Sequence, residues 1–201
     1  MKEKMNVGEI IKVGVILFVI TAVLAGLLAF VNAKTAPLIE QNAVAAEQEA
    51  MKTVMPDAAE FEEIELTDDL ISIAEEKGGE ISKVVVATDN SGEKIGICVK
   101  TVTTGYDIGI ETVTGIDSNL ILTGFDIISM NETPGLGANA DKPEFRAQYE
   151  GKTGEITVVK TAAGDDSIQA IAGATKTSNG VTKGVNIALR AAEILLEGGT
   201  E

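Results

Sequence analysis

The sequence predicts an α+β domain carried behind an N-terminal transmembrane helix. Residues 13–33 run for 21 positions without a charge. Between residues 82 and 129, stretches rich in β-branched residues alternate with clusters of Asp, Asn, Ser and Gly, the pattern of strands joined by turns. Near the C-terminus, apolar residues recur at helical spacing. Together these give a mostly antiparallel sheet with a packed C-terminal helix.

The uncharged run comes first. At about 1.5 Å per residue, a helix over 13–33 spans roughly 30 Å, the thickness of a bilayer's hydrocarbon core. A cleaved secretory signal is the competing reading, and Val31 and Ala33 resemble a small-residue cleavage site. The apolar core of a signal is only about 7–15 residues long, so the run reads as an uncleaved anchor. Lys2, Lys4 and Lys12 precede it, whereas Lys34 alone lies close behind it. Positive charge stays inside, so residues 1–12 are expected in the cytoplasm and the rest outside. The portion from residue 34 onward holds 13 basic and 29 acidic residues, net -16.

Residues 34–55 read as a juxtamembrane helix, with Thr35 as its cap and Pro37 in its first turn. It stops before Met55-Pro56. The remaining domain covers 56–201, and its acidic first part, 57–79, is ambiguous. Two hairpins follow, 82–88 with 94–102 and 108–114 with 120–129. They look weakly repeated, since Asp89 precedes Gly96 as Asp117 precedes Gly124. Alternation puts Ile95, Ile97 and Val99 on one face of their strand and Gly96, Cys98 and Lys100 on the other. Cys98 reads as a small packing residue. A short helix over 142–149, capped by Asp141, precedes short strands over 156–160 and 168–172. The last helix is expected over about 179–197, capped by Ser178 and closed by Gly198 and Gly199. Its buried face would carry Val181, Val185, Ala188, Ala192 and Leu195.

Composition excludes several chemistries. The chain of 201 residues has no histidine, one cysteine, no tryptophan and a net charge of -15. No catalytic triad with an imidazole, no His-ligated metal, no internal disulfide and no cysteine-held cluster can be built. The acidic balance and seven aromatic residues argue against a nucleic-acid partner.

Two segments have the composition of a ligand site. In residues 171–178, Gly173 and Ala174 allow close backbone approach, and Thr175, Thr177 and Ser178 place three hydroxyls at a helix start beside Lys176. Free N–H groups and the helix dipole there suit a phosphate, although an ordinary capped helix start has the same look. Residues 132–137 form a stiff loop around Pro134 and two glycines; a plain connection is the alternative. Gly180 and Gly184 mark a close approach to the last helix, by a ligand or by the protein itself.

Taken in order, the apolar span, Gly105-Tyr106 with Ile110, Gly115-Ile116-Asp117, ETPGLG over 132–137 and GATKTS over 173–178 resemble the FMN-binding G subunit of the Rnf electron-transport complex. The related C subunit of the sodium-pumping NADH:quinone reductase shares the domain. The resemblance implies a flavin transferase that joins FMN through its phosphate to the second threonine of GATxT, here Thr177, with Thr175 as the fallback. It implies a cofactor seat of Gly173, Ala174, Thr175, Lys176, Thr177 and Ser178 with Glu132, Thr133, Pro134, Gly135 and Leu136. It assigns no catalytic residue and no metal ligand. Gln169 and Ala172 depart from the family's fuller pattern, which favours an acid and a hydroxyl there. The implied protein is a single-pass electron carrier in a bacterial or archaeal cell membrane, with its flavin domain outside. Its partners would be the other subunits of an ion-translocating ferredoxin:NAD oxidoreductase. The C subunit of the quinone reductase, a free-standing exported flavoprotein and a flavin-free anchored interaction domain are the alternatives.

Overall fold

The computed structural model describes residues 7–161 and 163–197. Lys2 and Lys4 of the basic N-terminus, and the Gly198-Gly199 pair expected to close the last helix, lie outside the described residues. The chain divides into two units, Met1–Ala45 and Ala46–Glu201. The first is helical throughout its described part and belongs to α1 (Val7–Val54). It holds a window of mean hydropathy 2.8, long and apolar enough to cross a membrane. Leu17, Phe18 and Leu28 are exposed there.

No second helix starts at Thr35. The Thr35 hydroxyl donates to the Val31 carbonyl, one turn back, at 3.1 Å, a bond made inside helices. Pro37 is an interior residue of α1. It removes one ladder hydrogen bond, and the good helix formers around it carry the helix on.

The second unit is built on a five-stranded antiparallel meander, ordered β1-β2-β3-β4-β5. Its strands are β1 (Glu60–Ile64), β2 (Glu80–Thr88), β3 (Lys94–Thr104), β4 (Ile108–Asp117) and β5 (Leu122–Ser129). The acidic stretch 57–79, ambiguous in sequence, forms β1 and α2 (Asp68–Glu76). The two expected hairpins share one tip design. The Asp89 carboxylate accepts the N–H groups of Ser91 and Glu93, and that of Asp117 accepts those of Asn119 and Ile121. The third loop residue is left-handed in both, Gly92 at φ 81° and Leu120 at φ 62°, as a three-residue hairpin loop with a bulge requires.

After β5 comes a 3-10 turn, Gly137–Asp141, and then α3 (Pro143–Arg146). Asp141 does not cap α3. Pro143 fixes the first helical position, so the capping position falls on Lys142. The Asp141 carboxylate meets Arg146 instead, which also pairs with Asp126 at 2.6 Å. The strands β6 (Thr157–Val159) and β7 (Ser167–Gln169) form a small parallel pair. α4 (Thr175–Glu197) completes the fold.

Both faces of the large sheet are covered. On one, Val181, Val185, Ala188 and Ala192 of α4 pack on Val84, Ile97, Val99, Ile110 and Ile116, with Leu195 partly buried at the margin. On the other, Ala50, Met51 and Val54 of α1 pack with Met55 on Val85, Ala87, Cys98 and Val113. Cys98 is fully buried, and burial pushes its thiol up to about 12. Ile95 joins the Cys98 side rather than that of Ile97. A register shift between Ala87 and Thr88 leaves Ile95 unpaired and turns it over.

One carboxylate ties the last turns of α1 to the sheet. Glu47 takes Lys83 at 2.6 Å and Lys100 at 3.0 Å, and its side chain is only 14% exposed. Burial alone would push Glu47 up, but the hydrogen bonds and charges of the two lysines outweigh it and hold the carboxyl below its ordinary 4.5. The hydrogen bond to Glu47 raises Lys83 above its ordinary 10.5. A depressed carboxyl stabilises the fold above its unfolded pKa and loses that contribution as pH falls through the folded value. Glu47→Ala should therefore cost about 1–2 kcal/mol at neutral pH, between exposed and buried ion pairs. Denaturant unfolding should show the gap to wild type narrowing as pH falls below the ordinary 4.5 and through the lowered folded value.

Candidate functional site

Three segments meet at one end of the sheet. The β3–β4 tip brings Gly105 and Tyr106, the loop after β5 brings residues 132–137, and the loop before α4 brings residues 171–174. Two tight turns shape the loops. Leu136 N–H donates to the Thr133 carbonyl at 3.1 Å and Ala174 N–H to that of Ile171 at 2.9 Å. The third residue is glycine each time, Gly135 and Gly173, both at φ 78°. A left-handed glycine at that position is the signature of a type II turn, and Pro134 presets the residue before Gly135.

α4 starts at Thr175, a turn earlier than the sequence pattern suggests. Ser178 is therefore an interior residue and not the cap. Its hydroxyl donates to the Ala174 carbonyl at 3.1 Å and accepts the Ile171 N–H at 3.0 Å. It is fully buried behind the helix start and ties the 171–174 turn to α4. The N–H groups of Thr175, Lys176 and Thr177 open the helix and have no carbonyl one turn back to bind.

Between the segments lies a cleft of about 520 Å³, lined by residues of all three. That falls in the usual range for small-molecule sites, roughly 300–1,000 Å³. Of the residues expected from the sequence, Glu132, Thr133, Leu136, Gly173, Ala174, Thr175, Lys176 and Thr177 line it. Pro134 and Gly135 build the turn beneath and are not in the lining, and Ser178 is behind it. Tyr106 and Gly137 also line the cleft, beyond the seat expected from the sequence. Both belong to motifs that the sequence singles out. The signal for Tyr106 is an aromatic residue next to glycine at a hairpin tip, in a chain with two tyrosines.

The chemistry of the cleft is concentrated in a few groups. Among the described residues, Lys176 is its one cation and Glu132 its one carboxylate. The Lys176 ammonium stands 5.7 Å from the centre of the exposed Tyr106 ring, within cation–π range. Glu132 is only 8% exposed. One of its oxygens accepts the Tyr106 N–H at 2.8 Å and the Asp107 N–H at 3.3 Å. The other accepts the Thr177 hydroxyl at 2.9 Å. Thr177 lines the cleft and is itself only 1% exposed.

Three glycines leave room for this arrangement. A Cβ on Gly105 would collide with Glu132, and one on Gly137 with both Glu132 and, at 2.6 Å, the Thr177 hydroxyl. A Cβ on Gly180 would lie 2.8 Å from the Gly105 Cα. The close approach marked by Gly180 is thus protein on protein. Gly184 is similar, with Thr101 and Thr112 against it.

Residues 105–190 match the model of the FMN-binding domain, and residues 1–54 match that of the RnfG N-terminal region. The chain is 42% identical over 199 residues to the G subunit of the Na(+)-translocating ferredoxin:NAD(+) oxidoreductase complex of Acetobacterium woodii, covering 94% of this chain and 95% of that one. It is 34% identical over 172 residues to the G subunit of the proton-translocating complex of Clostridium ljungdahlii, covering 85% of each. The crystal structure of the C subunit of the Na(+)-translocating NADH-quinone reductase from Parabacteroides distasonis resembles it with a TM-score of 0.50 at 24% identity, over 69% of this chain and 77% of that chain, a likeness of fold. Matched along nearly its whole length, the chain belongs to the RnfG family, the G subunits of ion-translocating ferredoxin:NAD(+) oxidoreductase complexes.

Proposed function

We propose that this chain is a membrane-anchored flavoprotein subunit that relays electrons through FMN attached covalently at Thr177. Its partners are the other subunits of an Rnf complex, and a flavin transferase matures it. The observation that carries the site is Thr177, in the first turn of α4 and lining the cleft, with its hydroxyl in hydrogen bond with the Glu132 carboxylate.

The residues fit the cofactor. A threonine hydroxyl can carry a phosphodiester, and the unpaired N–H groups at the start of α4 suit its remaining negative charge. Lys176, lining the cleft, adds a cation. Tyr106 and Leu136, 73% and 45% exposed, offer apolar surface for the ring system. FMN supplies the capacity to take and release one or two electrons. The protein's part is to hold, orient and tether it. Within α1, residues 13–33 are the membrane span, with residues 1–12 in the cytoplasm and the flavin domain outside. The lysine imbalance across the span supports that orientation.

Thr177→Ala should abolish flavin fluorescence in the denatured gel band, and the intact mass should fall by one FMN unit. The protein should still fold, because losing one hydrogen bond to a charged group costs about 1.5–3 kcal/mol. Ser178→Ala should keep the fluorescence and lower the melting temperature, because the half-buried Ile171 N–H loses its acceptor. If Thr175→Ala goes dark while Thr177→Ala stays bright, the tether is Thr175. If all three stay bright, the attachment is not at this helix. Orientation is checked separately with reporters fused behind Glu201. A phosphatase that folds only outside the cytoplasm should be active there, and a reporter active only in the cytoplasm should be silent.

A further inference from the structure

We infer that Glu132 is the base that activates Thr177 for flavin attachment, so that this chain contributes a catalytic group to its own modification. The inference rests on the Thr177 reading above. A threonine hydroxyl is a weak nucleophile, and attack on phosphorus needs a group to take its proton. Glu132 is placed for that. One of its oxygens is 2.9 Å from Thr177 Oγ1, the separation across which a general base works. Its other oxygen is held by the Tyr106 and Asp107 N–H groups, which fixes the carboxylate and leaves one oxygen for the hydroxyl. Among the described residues, Glu132 is also the only carboxylate lining the cleft. The hydroxyl that it accepts belongs to Thr177 and not to Thr175, half-buried in the same lining, so the carboxylate distinguishes the two threonines.

The step balances without any redox change. A flavin whose phosphate belongs to a phosphoric anhydride, such as flavin adenine dinucleotide, is the donor. Thr177 Oγ1 forms a bond to the flavin-side phosphorus as the anhydride P–O bond breaks and adenosine monophosphate leaves. The Thr177 proton passes to Glu132 and from there to solvent. The residual charge of the new diester falls beside Lys176 and the opening N–H groups of α4.

The experiment uses the full-length, detergent-solubilised protein made without flavin transferase. Purified transferase and flavin adenine dinucleotide are then added, and covalent flavin is followed in denatured samples by fluorescence and by peptide mass. Glu132→Gln keeps an acceptor for the Tyr106 and Asp107 N–H groups and removes the base. It should slow attachment by about 100-fold or more with an unchanged melting temperature. The loss should lie in the maximal attachment rate, with the transferase concentration that gives half of it unchanged. A clamp without catalytic role would raise that concentration and leave the maximal rate. Glu132→Asp should restore part of the maximal rate. If Glu132→Gln fails to fold, Glu132→Asp carries the test: a lowered maximal rate at unchanged half-saturation supports the base, and a wild-type rate overturns it. Flavin on Thr177 at the wild-type rate in Glu132→Gln overturns the inference and leaves the site reading intact. Wild-type protein labelled elsewhere than Thr177 overturns the site reading itself.

Discussion

A single buried carboxylate, that of Glu132, sets the arrangement of the whole site. A carboxylate removed from water costs several kcal/mol unless its lone pairs are used. Here three donors use them, two from the β3–β4 tip and one from the start of α4. Segments far apart in the chain are thereby held to one pair of oxygen atoms. The glycines make the approach possible. Gly180 lets α4 touch the backbone of Gly105, and Gly105 and Gly137 leave the volume that the carboxylate fills. An alanine at any of the three would drive backbone or carboxylate away, and the Thr177–Glu132 contact with it.

The three sequence motifs are therefore parts of one object. The Gly-Tyr tip supplies the N–H groups of Tyr106 and of Asp107 beside it to Glu132, the ETPGLG loop supplies Glu132 itself, and GATKTS supplies the hydroxyl. Each looks ordinary alone, as a hairpin tip, a connecting loop and a capped helix. The sequence is legible where a local rule decides. The Asp89 and Asp117 tips, the Pro134-Gly135 turn and the buried stripe of α4 all follow from nearest-neighbour chemistry.

It is less legible where a tertiary bond overrides a local preference. Ser178 is a favourable cap by type, yet the Ile171 N–H and the packing of α4 draw it inside the helix, so the helix starts at Thr175. Thr35 and Pro37 form a good start signal, yet the helix runs through them. Ile95 follows strict alternation in the sequence, and a bulge visible only in the paired strands turns it to the other face. The role of Glu132 does not follow from spacing at all, since its partners are 26 and 45 residues away.

The sheet also separates two tasks by its alternation. Along β3, Thr101 and Thr103 face α4, where Thr103 donates to the Gly180 carbonyl and Thr101 is bonded to Thr112. Cys98 and Lys100 face the last turns of α1, where Lys100 meets Glu47. The polar residues on the α4 side are short, so the helix can lie close enough to bring Gly180 onto Gly105. Those on the α1 side are long and paired, and grip the helix by charge. Substituting a longer residue at Thr101 or Thr103 would lift α4 and, through Gly180, part Thr177 from Glu132. A change at Lys100 would loosen the attachment of α1 and leave the site alone. One strand thus carries both connections, and the period-two pleat keeps them independent.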